Sequence, residues 1–345
     1  MKYQFCIRFN KIDINSAASK AVLDCNKLFS AHGYKDYTFT VGDNSNKFTY
    51  YIALFKELLL FFFSVKKGAI VGIQYPLLSI NNVFKYFIAI AKLKKVRFYC
   101  VVHDIESLRI GGTDPVMIKT EIANLNCYDL LIVHNKHMAN WLASAGVKKP
   151  MISLVLFDYL MEDFPIKTRQ KEDIVYAGNL SKSTFIYELS LLKNLKFSVY
   201  GPGFKKNRAE NNANLIWKGQ FSPDEIARKI NGGIGLIWDG TTIEKCDEVL
   251  GNYLKYNNPH KLSLYIAAGL PVIVPRDSAM GEFVTLFKIG WLIDSLYDLE
   301  TLPIADLYAS FQSNVACIRE KIIKGGFFSD AIIAAEGALN HKIEN

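Results

Sequence analysis

Residues 257–274 read Asn257-Asn258-Pro259-His260-Lys261-Leu262-Ser263-Leu264-Tyr265-Ile266-Ala267-Ala268-Gly269-Leu270-Pro271-Val272-Ile273-Val274. A polar turn feeds a helix, the Gly269-Leu270-Pro271 step ends it, and a run of apolar, mainly β-branched residues follows. Such a run reads as a strand buried on both faces, the kind a helix-covered parallel sheet uses.

The same alternation extends outward along the chain. In the second half, strands are expected at Asp173–Ala177, Lys196–Tyr200, Leu215–Lys218, Ile234–Trp238 and Pro271–Val274. Helices are expected at Lys182–Leu192, Pro223–Ile230, Lys261–Ala268 and Ser278–Leu286. In the first half, strand candidates are Tyr3–Phe9, Tyr37–Val41, Ala69–Gln74, Arg97–His103 and Leu130–His134. Helical apolar spacing marks Ser16–His32, Lys47–Lys66, Asn81–Lys94, Met117–Asn126 and Lys136–Ala145. Between the halves lies the charged stretch FDYLMEDFPIKTRQKE, whose Phe164-Pro165 step disfavours a continuing helix. The chain therefore reads as α/β: two consecutive Rossmann-like, doubly wound domains at 1–160 and 173–305, joined by a linker at 161–172. The helical tail 306–345 is expected to pack back on the N-terminal domain. Ligands of such domains sit beyond the carboxyl ends of the strands.

Composition bounds the possibilities. Hydrophobic residues make up 50% of the 345 and charged residues 21%, which excludes a disordered or fibrous chain. The six scattered cysteines form no C-x-x-C pair and read as reduced thiols of a cytoplasmic protein. The strongest membrane candidate, Leu58–Val65, is far short of the roughly 20 residues of a transmembrane helix. A net charge of +8 suits an anionic partner such as a nucleotide diphosphate or an anionic leaflet. Without zinc-finger spacing, an RNP-like aromatic run or an Arg-rich tail, nucleic acid is not the expected partner.

The chemistry centres on the opening stretch. A helix N-terminus presents unpaired N–H groups and a partial positive charge, so a diphosphate can dock there with Lys261 as a point-charge clamp. The alternative is a surface lysine tolerated at modest cost.

The Asn-Pro-His-Lys turn, with Ser263, Tyr265 and the Ala-Gly-x-Pro-Val-Ile-Val tail, resembles the donor-site pattern of a bacterial GT-B glycosyltransferase group. That group includes β-1,6-galactofuranosyltransferases of O-antigen assembly and the second glucosyltransferase of streptococcal serine-rich adhesin pathways. Further resemblances run through Asn15–Ala21, Gln74-Tyr75-Pro76-Leu77, His103–Arg109, Gly178–Lys182, Tyr200-Gly201-Pro202-Gly203 and Gly235–Gly240. The resemblance implies two domains facing a cleft and transfer of a hexosyl or galactofuranosyl unit from a UDP-sugar. Galactofuranosyl transfer is favoured, onto an oligosaccharide or lipid-linked glycan at the inner face of the cytoplasmic membrane. Alternatives are a glucosyltransferase that extends a protein-bound glycan and a non-catalytic nucleotide-sugar-binding subunit. Homo-oligomers fit either reading.

It also implies a donor site of Asn15, Ser16, Asn179, Lys182, Tyr200, Gly201, Trp238, Asp239, Asn258, His260, Lys261 and Ser263. Each has a plainer reading beside it. Asn15 or Ser16 can simply N-cap the first helix, and Ala18 stands where a glycine is commonly expected. Asn179 can cap a turn beside a solvated Lys182, and Tyr200-Gly201 can be an ordinary bend. Asp239 can hold a sugar hydroxyl or cap a turn. Gln74 and Tyr75 end a strand at the same crevice, as cleft residues or as a turn.

Inverting transfer needs a general base for the acceptor hydroxyl. Asp104 is the first candidate, followed by Glu106 and His103, while Arg109 orients a carboxylate, holds phosphate or forms a structural ion pair. Tyr256 and Leu264 stand where many retaining GT-B enzymes carry paired glutamates, and no D-x-D follows a strand. The expected enzyme is therefore inverting, with no cofactor and no metal. His134 and His137 share a helical spacing, but Asn135 reads as a helix cap and no third ligand is evident. Lys85, Lys92, Lys94, Lys95 and Arg97 around Phe84, Phe87, Ile88 and Ile90 suit either peripheral contact with an anionic membrane or a partly buried helix with a solvated basic face.

Overall fold

A computed structural model describes residues 1–9, 17–41, 47–77, 80–110, 114–166, 173–210, 212–230 and 232–341. The chain forms two compact units, one of Met1–Ile14, Val22–Val155 and Phe328–Asn345, the other of Asn15–Ala21 and Leu156–Phe327.

The first unit holds strands β1 (Lys2–Phe9), β2 (Lys35–Val41), β3 (Ile70–Tyr75), β4 (Arg97–Val102), β5 (Leu130–Val133) and β6 (Met151–Ser153). They pair in parallel in the order β2-β1-β3-β4-β5-β6. The second unit holds β7 (Asp173–Ala177), β8 (Lys196–Tyr200), β9 (Leu215–Gly219), β10 (Ile234–Leu236), β11 (Val272–Pro275) and β12 (Gly290–Ile293). Their order is β12-β11-β10-β7-β8-β9, again all parallel.

Both are doubly wound, but differently. Counted from its own first strand, the first sheet runs 2-1-3-4-5-6 and the second 3-2-1-4-5-6. The order therefore reverses between β1 and β3 in one and between β7 and β10 in the other, and ligands of such sheets bind at the carboxyl ends flanking that point.

Aromatic packing covers the first sheet on both faces. On one face Phe5 meets Phe61 of helix Lys47–Ser64 at 5.2 Å and Phe84 of helix Asn81–Ala91 at 5.0 Å between ring centroids. On the other, Phe29 of helix Ala17–Ala31 meets Tyr99 at 6.0 Å and Phe328 of the last helix, Gly326–His341, at 5.1 Å. The last helix thus belongs to the first unit, fastened also by the Lys2–Glu336 ion pair at 2.9 Å, whereas helix Ile304–Ile323 belongs to the second unit, so only the end of the tail joins the N-terminal domain. In the second unit Tyr176, Phe185, Phe197, Trp238 and Trp291 anchor the core.

Three sequence expectations are corrected. The segment expected as helix 182–192 is a run of 3-10 turns, Thr184–Leu191, because TFIYEL is rich in β-branched and aromatic residues that lose side-chain freedom in an α-helix. The strand expected to reach Trp238 ends at Leu236. Strands β6 and β12 were not anticipated. Each is an edge strand of three or four residues, too short to carry a periodic pattern. The apolar set Phe84, Phe87 and Ile88 is core, 1–6% exposed. Lys92, Lys94 and Arg97 donate to the carbonyls of Cys127, Val65 and Leu339, so that basic cluster is largely structural.

Candidate active site

In the second unit the sheet splays where its order reverses. Strands β7 and β10 pair only through Ile234↔Ile174 and Gly235↔Val175. Beyond that pair the buried Tyr265 hydroxyl takes over, accepting from the Ala177 amide at 2.8 Å and donating to the Leu236 carbonyl at 3.1 Å. Glycine is required at 235, since a Cβ there would lie 2.3 Å from Cγ of Tyr265.

Above this bridge stands Lys261, in the first turn of helix His260–Ala267. Its Nζ donates to Asp239 Oδ1 at 2.5 Å and to the Tyr176 hydroxyl at 3.0 Å, and lies 4.7 Å from the Tyr176 ring centre. The side chains of Lys261 and Asp239 are 18% and 25% exposed. Burial pulls the ammonium down, but the Asp239 carboxylate and the Tyr176 hydroxyl outweigh it and hold Lys261 above the ordinary lysine value. Burial raises the Tyr176 hydroxyl against the opposing pull of Lys261. A cation, a carboxylate and a phenol therefore gather at the carboxyl ends of β7 and β10.

The loops beside them come close to one another. Gly201 has φ +130°, and a Cβ there would lie 1.9 Å from the carbonyl oxygen of Gly178, so only glycine lets these strand ends touch. Asn179 Oδ1 accepts from the Ser181 amide at 3.1 Å, which shapes the turn after β7. Lys182 is exposed, Tyr200 is buried, and Trp238 is core, its Nε1 donating to Thr242 at 2.9 Å.

Ser263 and His260 serve another contact. Ser263 Oγ donates to the Phe157 carbonyl at 2.5 Å, and the His260 ring stacks on Tyr159 at 5.1 Å with Nε2 3.2 Å from the Asp158 carbonyl. Burial pushes His260 down to about 4, so the ring is neutral and donates that bond. Lys20, 4% exposed, reaches the same segment, donating to the Leu160 carbonyl at 2.7 Å and pairing with Asp224 at 3.1 Å.

In the first unit the carboxyl ends of β3 and β4 carry the second cluster. Gln74 Nε2 donates to Asn26 Oδ1 at 2.7 Å, and its Oε1 accepts from His103 Nε2 at 2.7 Å. Arg109 makes its short contacts to Glu106 Oε1, at 2.7 and 3.0 Å, and stands 3.7 Å from Asp104. Beneath them Glu121, 5% exposed, accepts from the Glu106 amide at 3.0 Å, the Ser107 amide at 2.8 Å and the Tyr75 hydroxyl at 3.0 Å. Burial, then Glu121, holds that hydroxyl well above its ordinary value.

A model of the glucosyltransferase 3-like C-terminal domain matches residues 174–335, and its N-terminal counterpart matches residues 4–156. The chain belongs to the glucosyltransferase 3-like family.

Among relatives of this glucosyltransferase 3-like chain is the β-1,6-galactofuranosyltransferase WbbI of Escherichia coli K12. It is 32% identical over 254 residues, covering 70% of this chain and 72% of that protein. Glucosyltransferase 3 of Streptococcus gordonii is 25% identical over 277 residues, covering 78% and 79%. Solved structures share the fold at low identity. Sucrose-phosphate synthase from Thermosynechococcus elongatus has a TM-score of 0.55 at 12% identity, covering 99% of both chains. An E. coli structure described as trehalose-6-phosphate bound with UDP-2-fluoro glucose has a TM-score of 0.59 at 10% identity, covering 97% and 98%. The glucosyltransferase 3-like chain is thus a GT-B glycosyltransferase of two Rossmann-like domains.

Of the residues singled out in the sequence, Lys261, Asp239, Asn179 and Gly201 gather at the reversal point of the second sheet. Asp104, Glu106, His103, Arg109, Gln74 and Tyr75 gather at the strand ends of the first. His260 and Ser263 hold the segment 157–160 instead. Asn258 is buried at the turn, while Asn15 and Ser16 lie outside the described residues. Asn135 caps helix Lys136–Ser144 by accepting from Met138 N at 3.0 Å, and His134 Nε2 donates to the His103 carbonyl at 2.9 Å. One residue of each cluster was missed, Glu121 in the first unit and Tyr176 in the second. The available signal for Glu121 was a carboxylate beside Ile122 and Leu125 on the apolar side of its helix.

Proposed function

We propose that the chain transfers a hexosyl or galactofuranosyl unit from a UDP-sugar to a glycan acceptor carried on a lipid, with inversion and without a metal ion. The observation that carries the donor half is the Lys261–Asp239–Tyr176 cluster at the strand-order reversal of the second sheet. A cation beside a helix N-terminus suits the diphosphate, and Asp239 suits a sugar hydroxyl. The galactofuranosyl reading draws support from the relative named a β-1,6-galactofuranosyltransferase, and a glucosyl reading from the relative named glucosyltransferase 3.

For the chemical step, Asp104 takes the proton of the acceptor hydroxyl as its oxygen bonds to the anomeric carbon and the UDP leaves with the electrons of the broken bond. Asp104 stands just past the carboxyl end of β4, 3.7 Å from Arg109, with Glu106 and His103 beside it as the next candidates. Lys261 and the adjacent amides stabilise the charge on the leaving diphosphate.

A panel of UDP-sugars, including UDP-galactofuranose and UDP-glucose, tests the reading through protection against thermal unfolding and then turnover with excess EDTA present. Selective protection by UDP-galactofuranose and EDTA-resistant turnover are expected. Selective protection by UDP-glucose favours the glucosyl reading. Loss of turnover on chelation, restored by Mn²⁺, removes the metal-independent mechanism.

A further inference from the structure

Helix Lys47–Ser64 is apolar over most of its circumference, and only one side of it is used by the fold. Leu54, Leu58 and Phe61 are buried, and Phe61 packs on Phe5 and Phe87. The opposite side presents Ile52, Phe55, Leu59 and Phe63 at i, i+3, i+7 and i+11, a single helical stripe. The neighbouring helix adds Ile90 and Leu93. Exposure of these six ranges from 41% for Leu59 to 82% for Leu93. Both helices lie on the sheet face that Phe5 occupies, and Lys94 ties them by donating to the carbonyls of Phe62 and Val65, so their outer sides look the same way.

Charge sets what this surface fits. From Lys47 to Arg97 the chain carries nine basic residues and one acid. That acid, Glu57, accepts from the Tyr37 hydroxyl at 3.2 Å. Exposed Lys56, Lys66, Lys67 and Lys95 border the apolar stripe. A second copy of the chain would bring these lysines against themselves, whereas an anionic lipid surface complements them. No helix among the described residues is long and apolar enough to cross a membrane, which leaves insertion to the depth of the headgroups.

We propose that the outer face of helix Lys47–Ser64, with Ile90 and Leu93, docks this domain on an anionic lipid leaflet. Aromatic and aliphatic side chains enter the interface and lysines meet the headgroups. The proposal does not rest on which sugar the enzyme transfers.

The test is co-sedimentation of the full chain with vesicles of phosphatidylcholine alone or of equal parts phosphatidylcholine and phosphatidylglycerol. Binding to the anionic vesicles that weakens with added salt is expected. Phe55→Ser with Phe63→Ser should abolish it while circular dichroism and the melting temperature stay close to those of the parent, because both side chains are exposed. Lys66→Gln with Lys67→Gln should weaken partitioning by roughly 25-fold, about fivefold per lysine. Absence of binding to anionic vesicles overturns the proposal, as does binding that both variants retain. Gel filtration showing an oligomer that the Phe55/Phe63 variant dissolves, with no vesicle binding, assigns the face to self-association instead.

Discussion

At Lys261 two demands meet in one side chain. It is the cation beside a helix N-terminus, and it also neutralises Asp239 at 2.5 Å. If the ammonium serves the diphosphate, Lys261→Ala should reduce UDP affinity by roughly 10- to 150-fold, since a charge-assisted hydrogen bond contributes about 1.5–3 kcal/mol. The melting temperature should fall as well, because the variant leaves the Asp239 carboxylate largely buried without its cation. Unchanged UDP affinity by calorimetry would return Lys261 to a bracing role. The complementary variant is Asp104→Asn, which keeps the shape of the side chain but cannot take a proton. Turnover should drop by about 10²–10⁴ while UDP affinity barely moves. A collapse of UDP binding with near-normal turnover would make Asp104 a donor-site residue.

Helix His260–Ala267 does three jobs along its length, and each depends on where its residues point. Its first turn offers Lys261 to the crevice, His260 and Ser263 hold the segment 157–160, and Tyr265 bridges β7 to β10 where their own ladder stops. The bridge puts one hydroxyl oxygen between the two strands at the reversal point, in place of a direct backbone hydrogen bond. Tyr265→Phe removes one hydroxyl and strands a buried amide and a buried carbonyl, so it should destabilise the domain by about 1–3 kcal/mol. Gly235→Ala pushes a methyl to 2.3 Å from the same buried ring and should cost more than the loss of the hydroxyl, because the ring itself must shift. Urea denaturation measures both, and a loss below the error of the midpoint in each would show that the sheet splays without the bridge.

Across the whole molecule, buried neutral histidines tie stability to pH. His134 is 3% exposed, and burial pushes its ring down to about 4 from the ordinary 6.5, against the pull of the His103 and Val102 carbonyls. His260 is lowered in the same way. With the folded value below the unfolded one, the unfolded chain binds the proton first. The contribution is therefore complete above about pH 6.5 and is lost as pH falls towards 4. A shift of this size corresponds to about 3 kcal/mol per ring. Melting temperature should decline steeply across that window, and less steeply in His134→Gln, whose amide can still donate to the His103 carbonyl. Equal slopes for the two proteins would remove His134 as a cause.

The sequence alone determined the α/β class, two doubly wound halves and most strand positions, because alternation, helix-ending glycines and apolar runs are local patterns that each segment carries by itself. It also marked Lys261, from its place in the first turn of a helix, and Asp239, Asp104 and Glu106, since polar residues placed just past a buried strand must emerge at its carboxyl end. Only the tertiary structure decided the different strand orders of the two sheets, which depend on which strands pair across long stretches of chain. The same holds for Glu121, whose meaning lies in three donors brought to it from two other segments. For helix Lys47–Ser64 the reason is different: a helix apolar over most of its circumference has no single face that periodicity can read, and only packing against Phe5 and Phe87 shows which side the core takes and which it leaves to the surroundings.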